Sequence, residues 1–158
     1  VIIYVKRDIS TISKGVVAHG VNCQGVMGSG VAASLRSAYP QIFTTYKKIC
    51  DDYENNPNWM MLGLVDIVEV SGEFEDELLI VNCFTQERYG RDGKVYADAK
   101  AVFKSLDQAI ELADGLALPF FMPKIGCGLG GLSWEHDVEV IVEALSVKHR
   151  INVHVCTI

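Results

Sequence analysis

Two glycine-rich stretches hold most of the residues that could do chemistry in this chain. Residues 120–134 read FFMPKIGCGLGGLSW, and residues 22–30 read NCQGVMGSG. Each follows an apolar, strand-like run and precedes a helix start, at Ser133 in one case and at the run VAASLRSAY in the other. Glycines there let main-chain amides converge, and a helix start adds further N–H donors. One such loop is an anion cradle; two in like context point to a ligand with two phosphates held between them. His19, in the strand-like run Val16 to Val21, is a candidate general acid or nucleophile near neutral pH. Its plain alternative is a satisfied core histidine. In the stretch FTQERYGRDGKV (84–95), too long for a tight turn, Tyr89 is placed to stack on or cap a sugar, and the Arg91 guanidinium suits a terminal phosphate. Cys127 sits between glycines near a helix start, a setting that can lower a thiol pKa, although it and Cys23 read chiefly as small loop residues. It has Ser133, not arginine, six positions on, and Cys23 likewise meets Ser29, so a cysteine-phosphatase loop is absent.

The spacing of Gly126, Gly128 and Gly131 matches G-x-G-x-x-G, which raises a dinucleotide-binding fold. The acid that should follow about 20 residues later is missing, because that region reads SVKHRINVHV. Neither loop carries the lysine and hydroxyl of a nucleotide-triphosphate loop.

The elements that must position these residues follow from periodicity and punctuation. Strands are expected at Ile2 to Val5, Val16 to Val21, Leu64 to Val70, Leu78 to Cys83, Leu118 to Met122 and Ile151 to Cys156. Helices are expected from Gly30 to Ala38, stopped or kinked by Pro40, and from Gln41 to Tyr53, with apolar Ile42, Phe43, Tyr46 and Ile49 on one face. A further helix carries Val102, Leu106, Ala109, Ile110 and Ala113. The last helix carries Val138, Ile141, Val142 and Leu145, with Ser133 as its N-cap and Glu135 and Asp137 in its first turn. His136 reads as an exposed helix residue and Trp134 as packing beneath the glycine loop. ENNPN (54–58) reads as a surface turn, and SGEFEDE (71–77) as a solvated connection between two strands. Asp8, in the turn KRDIS, taken alone reads as a turn or N-cap residue. Alternating strands and helices imply an α/β sandwich, its sheet mostly parallel in the middle, with ligands bound beyond the strand C-termini.

The totals narrow the class. The 158 residues, 49% of them hydrophobic, suit one domain over 1–158 with a sizeable core. A net charge of -6 argues against a broad nucleic-acid-binding surface, so an anionic ligand must be held by local amides and helix ends. Five cysteines without a C-x-x-C pair or Cys/His ligand spacing read as reduced thiols, with no metal site. The absence of a secretory h-region and of a membrane-length apolar run makes a cytoplasmic location the expectation.

The order Asp8 after the first strand, HGVNCQGVMGSGVA, NCFTQERYGR, then MPKIGCGLGGLSWE resembles the macro domain family, and within it the branch that processes ADP-ribose 1″-phosphate. The likeness runs in order along nearly the whole chain. It implies a three-layer α/β/α sandwich with a mixed, centrally parallel sheet that binds ADP-ribose or ADP-ribose 1″-phosphate at the strand ends, without a cofactor. It also implies that Asp8 accepts a hydrogen bond from the adenine amino group, with the backbone of Ile9 beside it. Gly25, Val26, Met27, Gly28, Ser29 and Gly30 would wrap the distal ribose and diphosphate together with Ile125, Gly126, Cys127, Gly128, Leu129 and Gly130, and Asn22 would be directed at the distal ribose. His19 and Asn22 match positions of phosphatase-like members, which makes them the catalytic candidates. Gln86 and Gly130 stand where one hydrolytic branch has lysine and aspartate, and Ala32 stands where another has aspartate. The expected activity is therefore hydrolysis of ADP-ribose 1″-phosphate to ADP-ribose and phosphate. The alternatives are a non-catalytic ADP-ribose reader and an ADP-ribosyl hydrolase acting on modified protein or nucleic acid.

Overall fold

The computed structural model describes residues 1–56 and 60–158. Its strands are β1 (Ile2–Lys6), β2 (Gly15–Asn22), β3 (Val65–Glu69), β4 (Leu78–Gln86), β5 (Phe120–Met122) and β6 (Val153–Thr157); its helices are α1 (Gly30–Ala38), α2 (Gln41–Asn55), α3 (Ala99–Leu116) and α4 (Glu139–His149). The strands form one sheet in the order β1-β6-β5-β2-β4-β3. All neighbours pair in parallel except β3, which lies antiparallel to β4 at the edge. Parallel strands covered on both faces read as continuous apolar runs. GVVAHGVN and LLIVNCFTQ do, and these central strands are the most buried.

Alternation along β2 and β4 sorts their side chains between two cores. Val16, Ala18, Val81 and Cys83 join α3 and α4 on one face, through Leu106, Ile110, Val142 and Leu145. Val17, Val21, Ile80 and Phe84 join α1 and α2 on the other, through Leu35, Ile42 and Tyr46. This is the expected α/β/α sandwich. Fully burying one such aliphatic or aromatic side chain stabilises the fold by about 1.5–3 kcal/mol.

Two boundaries differ from the sequence reading for one reason. Leu118 and Ile151 belong to helix ends rather than strands, because α3 and α4 finish in left-handed Ala117 (φ 54°) and Arg150 (φ 53°). The next amides then turn back, Leu118 N to Ala113 O (3.0 Å) and Ile151 N to Ser146 O (3.2 Å). Ser133 caps as expected, accepting from His136 N at 3.2 Å, while Asp137 Oδ2 accepts from Ser133 N at 2.7 Å. The turn it caps, Trp134–Val138, is π-helical before α4 begins. His136 is exposed, and Trp134 is buried with Nε1 donating to Tyr4 Oη and Glu139 Oε2. Of the predicted turn ENNPN, Glu54 and Asn55 continue α2, while Pro57 and Asn58 lie outside the described residues. No helix among the described residues is long and apolar enough to cross a membrane.

Because β1, β2, β4, β5 and β6 all run the same way, their C-termini share one edge of the sheet. The loop after β2 leads to α1 on one face and the loop after β5 leads to α4 on the other, although these strands are neighbours. Chain connections that part in this way open a crevice between them.

Candidate functional site

That crevice is a cleft of about 730 Å³, walled by both glycine loops, the ends of β2, β4 and β6, and Tyr89 and Arg91. The volume lies within the ordinary range for small-molecule sites.

The first loop is shaped by Asn22. Its Oδ1 accepts from Gln24 N (2.9 Å), Tyr46 Oη (2.7 Å) and, at longer range, Val26 N (3.4 Å), and its Nδ2 donates to Val26 O (2.9 Å). Tyr46, fully buried on α2, also lies 2.8 Å from Asn22 O and accepts from Val26 N at 3.0 Å. Its phenol is held neutral, since burial pushes its pKa up. Asn22 is thus chiefly a loop-forming residue, with one N–H of its amide left over. Tyr46 had read only as one apolar position of an amphipathic helix; nothing in that spacing marks a hydroxyl reaching a loop.

The second loop needs glycine for two different reasons. Gly126 has φ 74°, in the left-handed region. At Gly130 the backbone is ordinary, but a Cβ would lie 2.6 Å from Gly126 O and 3.0 Å from Ala97 Cβ. The loop is pinned there as well, with Tyr96 N and Ala97 N both donating to Gly130 O. Among the described residues, the amides of Met27, Gly28 and Ser29 on one rim and of Gly126, Gly128, Leu129 and Gly130 on the other donate to no protein group. Gly25, Val26, Gly30, Ile125 and Cys127 sit in the same two loops, and all but Gly25 line the cleft.

The third wall is tied to the first. Tyr89 N donates to Gln24 Oε1 at 3.1 Å, and Gln86 Nε2 donates to Arg88 O at 2.7 Å. Tyr89 and Arg91 are exposed at the cleft mouth. Gly20, Thr85 and Lys124 also line the cleft, although the sequence reading did not single them out.

The expectation of a catalytic histidine is corrected by the geometry. His19 does not line the cleft: it is 1% exposed, on the α1/α2 side of the sheet, with Nε2 2.6 Å from Asn82 Oδ1. Asn82 Nδ2 in turn donates to Ile42 O and Asp66 Oδ2, both at 3.1 Å. The position faces the core because it alternates with Val17 and Val21, and burial drives its pKa down to about 4, so the ring is neutral. Its Nδ1 has no hydrogen-bond partner among the described residues. Cys127 is not activated: burial, then Asp137, pushes its pKa up to about 11, and its Sγ donates to Ile125 O. Burial likewise pushes Cys23 up to about 12. Asp8 and Ile9 are not on the cleft wall. The Asp8 carboxylate caps a short 3-10 turn, accepting from Ser10 N (3.0 Å) and Ser10 Oγ (2.8 Å), bonds that hold its pKa below the usual value. Ile9 is buried beneath it. Both stand just past the cleft's β6 end, since Arg7 N donates to Thr157 O and Cys156 and Thr157 line the cleft.

The Macro domain family model matches residues 18–141. An ADP-ribose 1″-phosphate phosphatase of Meyerozyma guilliermondii is 28% identical over 98% of this chain and 97% of its own length. A DNA ADP-ribosyl glycohydrolase of Mycobacterium tuberculosis is 31% identical over 87% of this chain, which spans 36% of that relative. A solved structure from Bacteroides thetaiotaomicron, of unknown function, superposes with a TM-score of 0.83 at 26% identity, covering 100% of this chain and 98% of the other. With the family model covering most of its length and both glycine loops, this chain belongs to the macro domain family.

Proposed function

We propose that this chain, as one macro domain over 1–158, binds ADP-ribose and hydrolyses ADP-ribose 1″-phosphate to ADP-ribose and inorganic phosphate. The observation that carries the reading is the pair of facing loops whose unpaired amides, those of Met27, Gly28 and Ser29 and those of Gly126, Gly128, Leu129 and Gly130, all belong to residues lining one cleft. Amide donors and the start of α1 attract phosphate oxygens without any net positive charge on the protein. In this reading the diphosphate lies between the loops. The adenine amino group meets Asp8, with the Ile9 backbone alongside, at the β6 end of the cleft. The leftover Asn22 N–H meets the distal ribose, Tyr89 caps that sugar, and Arg91 faces the terminal phosphate. Hydrolysis then needs water to attack phosphorus while the anomeric oxygen leaves, and Arg91 offsets the charge that builds on the phosphate oxygens. His19 has no part in it, because a neutral ring sealed in the core reaches neither water nor phosphate.

The near-full-length phosphatase relative supports this assignment. The glycohydrolase relative motivates a second reading, release of ADP-ribose from a modified macromolecule. Against one known route to that reaction stand Gln86, which has no amine to form an adduct, and Gly130, which has no room for a carboxylate, and against another stands Ala32, which has no carboxylate. The five thiols, all free in the structure, support the cytoplasm as the site of action. Calorimetry with ADP-ribose, followed by phosphate release from its 1″-phosphate, tests the proposal. Binding without phosphate release leaves an ADP-ribose reader. Release of ADP-ribose from modified DNA or protein moves the assignment to the glycohydrolase.

A further inference from the structure

We infer that Thr85 recognises the distal ribose through a neutral hydrogen bond on the floor of the cleft, and thereby separates ADP-ribose from ADP. The inference rests on the ADP-ribose reading above and adds to it a residue that sets specificity. Thr85 lies near the end of β4, lines the cleft and is 1% exposed. Its carbonyl is taken by Asp98 N at 2.8 Å, but its hydroxyl has no partner among the described residues. Unlike His19 Nδ1, that hydroxyl is not sealed from the cleft, so it offers a ligand one donor and an acceptor at the floor of the site.

The space above that hydroxyl is kept open by Gly20. A Cβ on Gly20 would lie 2.7 Å from Thr85 Oγ and 3.1 Å from Ile125 Cγ1. Gly20 sits in regular strand without positive φ, so its backbone would accept another residue. What the absent side chain provides is access to the hydroxyl from the cleft.

Chemistry and topology agree on the occupant. A hydroxyl both donates and accepts, and beside Ile125 and Gly20 a charged oxygen would be stripped of water without compensation. The unpaired amides that suit phosphate lie instead on the two rims. Across the sheet, the proposed adenine contact lies beyond β6, the loops meet over β2 and β5, and Thr85 lies on β4, past the diphosphate. Its neighbour Gln86 is in register with Asn22, the residue directed at the distal ribose. The group over Thr85 is therefore a ribose hydroxyl.

Titration of wild type, Thr85→Val and Thr85→Ser with ADP-ribose and with ADP tests this. Thr85→Val, which keeps the volume and removes the hydroxyl, should weaken ADP-ribose binding about tenfold and leave ADP unchanged, while Thr85→Ser stays close to wild type. Gly20→Ala, which crowds the same hydroxyl, should give the same selective loss if Thr85→Val is poorly folded by its melting curve. Wild-type affinity of Thr85→Val for ADP-ribose overturns the inference, as does an equal loss for both ligands. If the wild-type protein itself gives no heat with ADP-ribose, the functional reading falls and the inference with it; the wild-type titration thus separates the two failures.

Discussion

Asn22 and His19 are three residues apart on one strand, and the family resemblance makes both catalytic candidates, yet their surroundings assign them different work. Asn22 is held by Tyr46, whose hydroxyl meets both its backbone and side-chain oxygens. Tyr46→Phe removes only that hydroxyl. It should cost about 1–2 kcal/mol of stability and weaken ADP-ribose binding several-fold, as read by urea denaturation and calorimetry. His19 makes a prediction of the opposite kind. Its pKa falls from 6.5 to about 4 on folding, so the unfolded chain takes up its proton first as pH drops. Stability is complete above about pH 6.5 and is lost as pH falls from there towards 4, where the loss from this group reaches about 3 kcal/mol. Urea denaturation at pH 7 and pH 4.5 should show a smaller difference in His19→Gln than in wild type. Phosphate release at pH 7 by folded His19→Gln should stay within a few-fold of wild type; a loss of several orders of magnitude would restore His19 to the chemistry.

At the level of elements, the two glycine loops do not use their glycines alike. Gly130 is enclosed by the Gly126 carbonyl and Ala97, whereas a Cβ on Gly28 would meet only Val26 Cγ1, at 3.8 Å. Gly130→Ala should displace the loop and reduce ADP-ribose affinity at least about tenfold, while Gly28→Ala should cost less than a kcal/mol in binding or stability. Calorimetry on the two variants compares them directly. The N-terminus of α3 supports the same floor, since Asp98 N donates to Thr85 O and the Asp98 carboxylate accepts from Ala101 N at 2.9 Å. Loss of that cap in Asp98→Ala should cost about 1 kcal/mol and lower the melting temperature by roughly 2–4 °C. The sequence reading located these elements well where an apolar run and its punctuation agreed. It placed the starts of β5 and β6 two residues early because the helix-ending αL residues there are alanine and arginine, which carry no glycine signal.

Over the whole molecule, an acidic protein of net charge -6 is proposed to bind an anion, which works only if neutral dipoles do the binding. Main-chain amides are not screened away by salt as a field of lysines would be. The dissociation constant for ADP-ribose should therefore change by less than about threefold between 50 and 500 mM NaCl, whereas binding through a basic surface would fall steeply over that range. Calorimetry across the salt series measures this. Part of the protein was determined by its sequence alone. Alternating strand and helix patterns and two strand–glycine loop–helix units specify the sandwich and point to the edge where a ligand is proposed to sit and to its proposed phosphate character, because each is a local property of consecutive residues. The tertiary structure decided which candidates reach that edge. Strand alternation across the sheet turned His19 into the core and Thr85 towards the cleft, and burial raised the Cys127 pKa where the local motif suggested lowering. A contact from α2 made Tyr46 part of the first loop. These outcomes depend on what lies opposite each side chain across the fold, and residue spacing along the chain does not encode that.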